Sequence, residues 1–197
     1  MTNYNEQMRQ EKKQHILNCS RKVFSEKGFA RVTMQDLVNA SNISRGGIYL
    51  YFKSVESVFR EVILQRERTI IDDVEKMIEE KLSFHEVFDE YLKIHKNRLK
   101  GIDDSLIQAM YEYHFTQETE VAKQLRDQQV ENAQETIRLI INYGYQQGVI
   151  ESERLDILVE HIMLTIEGLN IYALLGGLST AQLQAQLDYL KVVVNCG

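Results

Sequence analysis

The sequence of 197 residues contains no proline and only ten glycines. Because proline breaks helix interiors, its absence favours a chain composed almost entirely of helices. No stretch of about 18 consecutive apolar residues occurs, so we expect no membrane-spanning helix. The opening segment MTNYNEQMRQEKKQ also lacks the apolar region of a secretory signal peptide.

Cysteine is scarce as well. Cys19 and Cys196 are too few and too far apart in sequence to indicate a disulfide framework or a zinc site. Free thiols are typical of a reducing compartment, and we therefore predict a cytoplasmic protein.

Motifs of catalysis are missing too. His85-Glu86 begins like a zinc-protease helix, but Asp89 stands where the second histidine is required. The sequence contains no phosphate loop, dinucleotide fingerprint or nucleophile elbow. We predict that the chain is not an enzyme and has no catalytic, metal or cofactor site.

Charge is distributed unevenly along the chain, whose formal net charge is −6. Residues 1–60 carry ten Lys and Arg against five Asp and Glu, a net charge of +5. The remainder carries 13 basic and 24 acidic residues, a net charge of −11. A basic end on an acidic body predicts that the N-terminal part contacts nucleic acid phosphates.

Apolar residues recur at intervals of three and four throughout, which is the period of α-helices. We predict an all-α protein of about nine helices: three short N-terminal helices, a long connector and a helical bundle. The predicted domains are a helix-turn-helix DNA-binding domain over residues 1–53 and a ligand-sensing and dimerisation domain over residues 54–197. A helix over 54–81 would join them as a continuous rod.

The segment from Thr33 to Phe59 has the layout of a helix-turn-helix, whose second helix lies in the DNA major groove. Thr33 with Asp36 forms a capping-box pattern, and Ser44 caps the next helix. Asn42 suits the left-handed turn between them. Each feature of this corner is encoded by residues close in sequence.

Seven residues of this segment are predicted to contact DNA. Arg45 is suited to a guanine edge or a phosphate, and the adjacent glycines allow the backbone to approach a DNA strand. The tyrosines, the lysine and the threonine are placed for phosphate, sugar or thymine-methyl contacts. The full set is Thr33, Arg45, Gly46, Gly47, Tyr49, Tyr51 and Lys53.

The segment from about Gln14 to Phe59 resembles the DNA-binding domain of the TetR family of bacterial transcriptional regulators. The matching residues are Ile16-Leu17, Phe24, Gly28-Phe29, Thr33-Met34, Asp36-Leu37, Ala40, Ile43-Ser44, Gly47, Ile48-Tyr49, Tyr51-Phe52-Lys53, Glu56 and Phe59. Leu50 departs from the pattern, since the family often has His or another polar residue there. Fewer polar groups are then available for base contacts.

The resemblance implies a homodimer with a ligand-sensing body. Two apolar stripes on the last two helices are our candidate dimer interface, on the model of a four-helix bundle between symmetry mates. The alternative is that both stripes face their own core. The stripes consist of Leu158, Ile162, Leu169, Tyr172, Leu183, Leu187, Leu190 and Val194.

Aromatic and polar-tipped side chains in the middle of the chain indicate a small-molecule pocket for a hydrophobic or aromatic effector. Glu167 is suited to a cation, although a local hydrogen bond explains it equally well. The candidate lining residues are Tyr91, His95, Met110, Tyr111, His114, Tyr143, Met163 and Glu167.

The predicted function is that of a ligand-responsive, homodimeric repressor released from a palindromic double-stranded DNA operator by its effector, without membrane association. The alternative is a helical interaction or dimerisation protein with a degenerate DNA-reading domain and no effector.

Overall fold

The structure is a computed structural model that describes residues 2–102 and 106–195; Cys196 lies outside them. The described residues form nine α-helices and no β-strand, so the predicted all-α class is confirmed. A 3-10 turn, Ser152–Arg154, precedes α8. The helices are α1 (Thr2–Lys27), α2 (Met34–Ser41), α3 (Arg45–Tyr49), α4 (Val55–Glu79), α5 (Phe84–Lys100), α6 (Ile107–Thr116), α7 (Glu120–Gln146), α8 (Leu155–Leu174) and α9 (Thr180–Asn195).

Unit 1 is a compact part of the chain that comprises residues 2–66 and 106–125. Its core is aromatic, with Phe24, Phe59 and Tyr113 fully buried. The Phe59 ring centroid lies 4.9 Å from that of Phe24 and 5.2 Å from that of Tyr113. Burying one such side chain contributes roughly 1.5–3 kcal/mol. Since Tyr113 belongs to α6, this helix completes the core beneath α1 and α4.

Unit 2 comprises residues 67–102 and 126–195, and contains α5, α8, α9 and most of α7. Ser83 and Glu86 form the predicted capping box at the start of α5, and these hydrogen bonds lower the pKa of Glu86. Gly144 of α7 provides close packing, because a Cβ there would lie 2.8 Å from Phe84 and 2.7 Å from Ile150. A larger residue would push the start of α5 away from α7.

The boundary between the two units differs from the predicted domain boundary between residues 53 and 54. Unit 1 continues along α4 to Arg66, and it also contains α6 and the first turns of α7. α4 itself ends at Glu79 and is uninterrupted across the division between Arg66 and Glu67. The DNA-binding and sensing roles assigned to the two parts remain predictions.

α8 is the most apolar helix of unit 2. The segment Ser152–Leu174 contains an 18-residue window with a mean hydropathy of 1.4 and is, in the described part of the chain, long and apolar enough to span a membrane by length and composition. One such helix is weak support for a membrane span, because core helices of soluble proteins can be equally long and apolar. Leu158, Ile162 and Ile166 are buried in unit 2, where α8 contacts α5 and α9. We therefore describe α8 as a core helix with one uncovered apolar side.

Candidate nucleic-acid interface

The corner between α2 and α3 is built as the sequence predicts. Thr33 and Asp36 form a complete capping box at the start of α2. Asn42 adopts the left-handed conformation with φ 53°, which lets the chain turn sharply. The Ser44 hydroxyl then accepts a hydrogen bond from the Gly47 backbone N–H at 3.2 Å and caps α3. These local bonds fix the direction in which α3 leaves the turn.

α3 has one buried and one exposed side. Ile48 is fully buried and anchors the helix to the unit 1 core. Arg45, Tyr49 and Leu50 are exposed, and the Arg45 guanidinium lies 5.8 Å from the centre of the Tyr49 ring. A guanidinium within about 6 Å of an aromatic ring centre is attracted to the ring. The exposed side therefore offers one guanidinium, one phenol and one aliphatic side chain to a major groove.

Gly46 and Gly47 differ in their surroundings. A Cβ on Gly46 would meet nothing within 4 Å, so the backbone there is open to a partner. A Cβ on Gly47 would lie 2.8 Å from Ile43 Cγ2 and 3.2 Å from Ser44 Oγ. Gly47 is therefore required by the packing of the turn itself. Only Gly46 has the open surroundings expected where the backbone approaches DNA.

The predicted phosphate contacts are also distinguishable. Lys53 is exposed and Tyr51 is half-buried. The Thr33 hydroxyl already donates a hydrogen bond to Asp36 Oδ2 at 2.7 Å, and its oxygen accepts one from the Asp36 N–H. Because a phosphate needs a donor, Thr33 can contact one through this hydroxyl only by releasing Asp36. The structure thus gives Thr33 a capping role.

Asp36 also ties α2 to α1. The Lys27 ammonium donates a 2.6 Å hydrogen bond to Asp36 Oδ1. This bond, followed by those from Thr33, lowers the pKa of Asp36 to about 2. The carboxylate therefore stays ionised at pH values well above 2. Its bond with Lys27 then joins the end of α1 to the first turn of α2.

Glu112 and Tyr113 of α6 were not found from the sequence. Glu112 Oε2 accepts a 2.6 Å hydrogen bond from the Phe29 backbone N–H and contacts the position that a Cβ on Gly28 would occupy. The Tyr113 hydroxyl donates to Glu56 Oε1 at 2.7 Å, and burial followed by this bond raises the pKa of the phenol. Gly28 also has a φ of +74°. Glycine is therefore needed there both for the left-handed backbone conformation and for the space that Glu112 occupies. α6 is therefore joined directly to the helices that carry α3.

The eight residues predicted to line an effector pocket are distributed over both units. Met110, Tyr111 and His114 lie on α6 in unit 1, where Met110 is part of the core. The other five belong to unit 2: Tyr91, His95, Tyr143, Met163 and Glu167.

Tyr143 has a structural role in unit 2. Its hydroxyl donates a 2.7 Å hydrogen bond to the Leu82 carbonyl and so holds the segment before α5 against α7. This bond accounts for the polar tip of Tyr143 without a ligand.

A polar cluster links α5 and α8 in unit 2. Tyr91 and His95 are buried with ring centres 4.6 Å apart. The Arg98 guanidinium donates to Asn170 Oδ1 at 2.7 Å and lies 3.0 Å from His95 Nδ1. Asn170 Nδ2 donates to Glu167 Oε1 at 3.3 Å, which gives the exposed Glu167 a local partner. Arg98 and Asn170 were not predicted, because nothing in the sequence indicates that residues 72 positions apart meet.

The structure buries most of the predicted dimer stripes within a single chain. Seven of the eight side chains are buried in unit 2 and leave little surface for a second copy; only Tyr172 is exposed. The buried seven are Leu158, Ile162, Leu169, Leu183, Leu187, Leu190 and Val194. This burial favours the alternative that these stripes face their own core.

Other apolar side chains of α8 and α9 are exposed instead. Ile157, Leu164 and Ile171 are 60%, 59% and 37% exposed and follow one another at intervals of seven residues. Tyr189 and Val192 of α9 are 59% and 52% exposed. Helical periodicity alone cannot choose between the two apolar sides of a helix that is apolar all round.

A short helix displayed at the surface after a capped, left-handed turn defines a helix-turn-helix DNA-binding protein. The comparisons with known proteins agree. The sequence profile of the family described as "Bacterial regulatory proteins, tetR family" matches residues 16–62. The HTH-type transcriptional regulator UidR of Escherichia coli (strain K12) is 30% identical over 185 residues, which cover 84% of this chain and 92% of UidR.

Two further comparisons extend the likeness. The uncharacterized HTH-type transcriptional regulator YfiR of Bacillus subtilis (strain 168) is 31% identical over 137 residues, 68% of this chain and 65% of YfiR. The crystal structure of the transcriptional regulator FadR from Bacillus subtilis in complex with stearoyl-CoA shares the fold. Its TM-score is 0.72 at 20% identity, over 93% of this chain and 98% of that one. The chain belongs to the TetR family of bacterial transcriptional regulators.

Proposed function

We propose that the chain is a cytoplasmic, homodimeric repressor that binds a palindromic operator and leaves it when a small hydrophobic or aromatic effector binds. The observation that carries this proposal is the exposed side of α3, where Arg45, Gly46 and Tyr49 stand at the surface while Ile48 anchors the helix. A homodimer presents two such helices, which suits an operator with two symmetric half-sites.

The exposed apolar stripe of α8, Ile157, Leu164 and Ile171, supports the dimer. Gly168 lies between the last two, and a Cβ there would meet nothing within 4 Å, so a partner helix has room to approach. A contiguous apolar surface is unfavourable in water unless a partner covers it. In a two-fold symmetric dimer the same stripe serves both protomers.

Unit 2 supplies candidate polar groups for an effector. Arg98, His95 and Asn170 are linked by hydrogen bonds between α5 and α8, and both helices also carry buried apolar side chains such as Leu92 and Leu169. An apolar surrounding with a few placed polar groups is typical of small-molecule sites. The effector site is accordingly proposed at this cluster.

α4 supports a coupling between effector and DNA, because it is anchored by carboxylates in both units. In unit 1, Glu56 accepts from Tyr113, and Glu61 pairs with Lys13 at 2.9 Å. In unit 2, the two oxygens of Glu67 accept hydrogen bonds from Gln129 and Asn132, each at 2.8 Å. A shift of α4 on effector binding would move the helices that carry α3.

The reading of DNA is tested with duplexes selected by the protein from a random pool and with unselected duplexes of the same length. Arg45→Ala should lower the preference for the selected duplex by about 1–3 kcal/mol, as loss of a base contact does. Lys53→Ala should weaken both complexes alike and reduce the salt slope. Lys22→Ala, an exposed lysine on α1, is the control. Equal losses on both duplexes for Arg45→Ala would contradict the assignment.

The coupling is tested with a compound found by thermal-shift screening of the wild-type protein. Effector and DNA must weaken each other's binding by the same factor, a coupling of about 1–3 kcal/mol. Glu67→Ala removes the anchor of α4 in unit 2 and should reduce that factor while DNA affinity without effector is retained. A compound that binds at saturation but leaves DNA affinity unchanged would refute the coupling.

A further inference from the structure

A groove of about 680 Å³ lies in unit 1 beside the recognition helix α3. One wall is the N-terminal part of α1, which contributes Met8, Lys12 and His15. The other wall is the α2–α3 turn and the end of α3, up to Leu50 and Tyr51. Leu50 is 76% exposed and also belongs to the exposed side of α3. The groove is therefore continuous with the surface proposed to enter the major groove.

The walls of this groove are fixed to each other. The His15 Nε2–H donates a hydrogen bond to the Ser41 carbonyl at 2.9 Å, which joins α1 to the end of α2. Met8, Lys12 and His15 follow the three-and-four spacing of one helix side. All three precede residue 16, where the match to the family profile begins. This wall therefore lies outside the segment that the family profile matches.

The groove carries hydrogen-bond donors suited to phosphate. Lys12 is exposed, and no carboxylate in the described part of the chain lies within ion-pair distance of it, whereas its neighbour Lys13 pairs with Glu61. Asn42 and Tyr51 add an amide and a phenol. Side chains of these types make most phosphate contacts in protein–DNA complexes.

We propose that this groove receives the sugar-phosphate backbone of the duplex read by α3, with the Lys12 ammonium paired to a phosphate. α1 is then a DNA-contacting element in addition to α3 and the start of α4. The inference rests on the proposed function as a DNA-binding regulator. Glu11 lies in the α1 wall of the groove, and its negative charge repels the DNA backbone.

Two matched pairs of variants test the proposal. Lys12→Ala is compared with Arg9→Ala, since Arg9 is an exposed cation on the same turns of α1 that does not line the groove. One phosphate contact contributes a slope of about −0.9 in log K against log salt, or about fivefold in affinity at 0.15 M salt. Lys12→Ala should therefore weaken a two-protomer complex about thirtyfold and reduce its slope by about 2. Arg9→Ala should leave both the DNA affinity and the salt slope close to the wild-type values.

The second pair of variants removes a negative charge instead of a positive one. Glu11→Gln removes the negative charge in the groove and should tighten binding by roughly two- to threefold per protomer. Glu6→Gln, an exposed acid on α1 outside the groove, should leave affinity unchanged. Thermal unfolding of all four variants should match that of the wild type, because none of the four side chains is buried.

Fluorescence anisotropy with a selected duplex and an unselected duplex, titrated at several salt concentrations, supplies the measurement. Equal effects of Lys12→Ala and Arg9→Ala, or no effect of Glu11→Gln, would overturn the groove contact while wild-type binding still upholds the proposed function. If the groove binds a small molecule instead of DNA, Lys12→Ala and Arg9→Ala should also have equal effects on DNA affinity when no small molecule is added. If the wild type binds neither duplex, the proposed function fails together with this inference.

Discussion

Replacing each of the two adjacent glycines of α3 by alanine separates packing from DNA contact. Gly47→Ala places a methyl group 2.8 Å from Ile43 Cγ2 and 3.2 Å from Ser44 Oγ, inside the turn. Overpacking of this kind costs about 1–3 kcal/mol. Replacing glycine in a helix contributes about 1 kcal/mol in the opposite direction. We therefore expect a net loss of about 0–2 kcal/mol in the free energy of unfolding.

Gly46→Ala should act in the opposite sense on stability. The added methyl group meets nothing within 4 Å, so the gain in helix propensity of up to about 1 kcal/mol remains. If the Gly46 backbone lies against a DNA strand, the methyl group displaces a charged contact that is worth about 1.5–3 kcal/mol. The expected result is a more stable protein that binds its selected duplex about 10- to 100-fold more weakly per protomer.

The assay combines urea unfolding followed by circular dichroism with fluorescence anisotropy on the selected duplex. We expect stability to increase and DNA affinity to decrease for Gly46→Ala. Unchanged DNA affinity for this variant would refute the close approach of the backbone at Gly46. A Gly47→Ala protein more stable than the wild type would refute the packing role of Gly47.

Further predictions concern α6, acid stability and the dimer. Glu112→Ala should destabilise unit 1 by about 1–3 kcal/mol in urea unfolding, because the Phe29 N–H loses its acceptor, whereas Glu112→Gln should cost less than half of this. Since the pKa of Asp36 is about 2 in the folded protein and about 3.9 when unfolded, its stabilisation should be complete above about pH 4 and be lost towards pH 2 in thermal melts. A loss already complete at pH 5 would contradict this assignment. Leu164→Glu should raise the dimer dissociation constant at least 100-fold in sedimentation, since the proposed dimer buries two copies of Leu164 and each contributes about 1.5–3 kcal/mol. Val130→Glu, at another exposed apolar side chain on α7, should leave the dimer dissociation constant unchanged.

The elements encoded by neighbouring residues could be predicted from the sequence. The capping boxes at Thr33 and Ser83, the left-handed Asn42 and the Ser44 cap all arise from contacts within a few residues. Local hydrogen bonding decides these features, and the tertiary structure leaves them unchanged.

Features that depend on distant contacts could not be predicted. The bond between Glu112 and Phe29 joins residues 83 positions apart, and that between Arg98 and Asn170 joins residues 72 apart. The side of α8 that packs inside unit 2 could not be chosen from the sequence because this helix has apolar residues on both sides, and only packing shows which side is covered. The packing of Gly47 against Ile43 could not be predicted either, because it depends on the geometry of the turn.

The central claim is that two copies of this chain read a symmetric DNA site through α3. Selection of bound duplexes from a random pool, followed by a count of protomers per selected duplex, tests it most directly. The account predicts an inverted repeat with half-site centres about one helical turn, or a multiple of it, apart, bound by two protomers or a multiple of two. An asymmetric site bound by a single protomer, or no sequence enrichment at all, would contradict it.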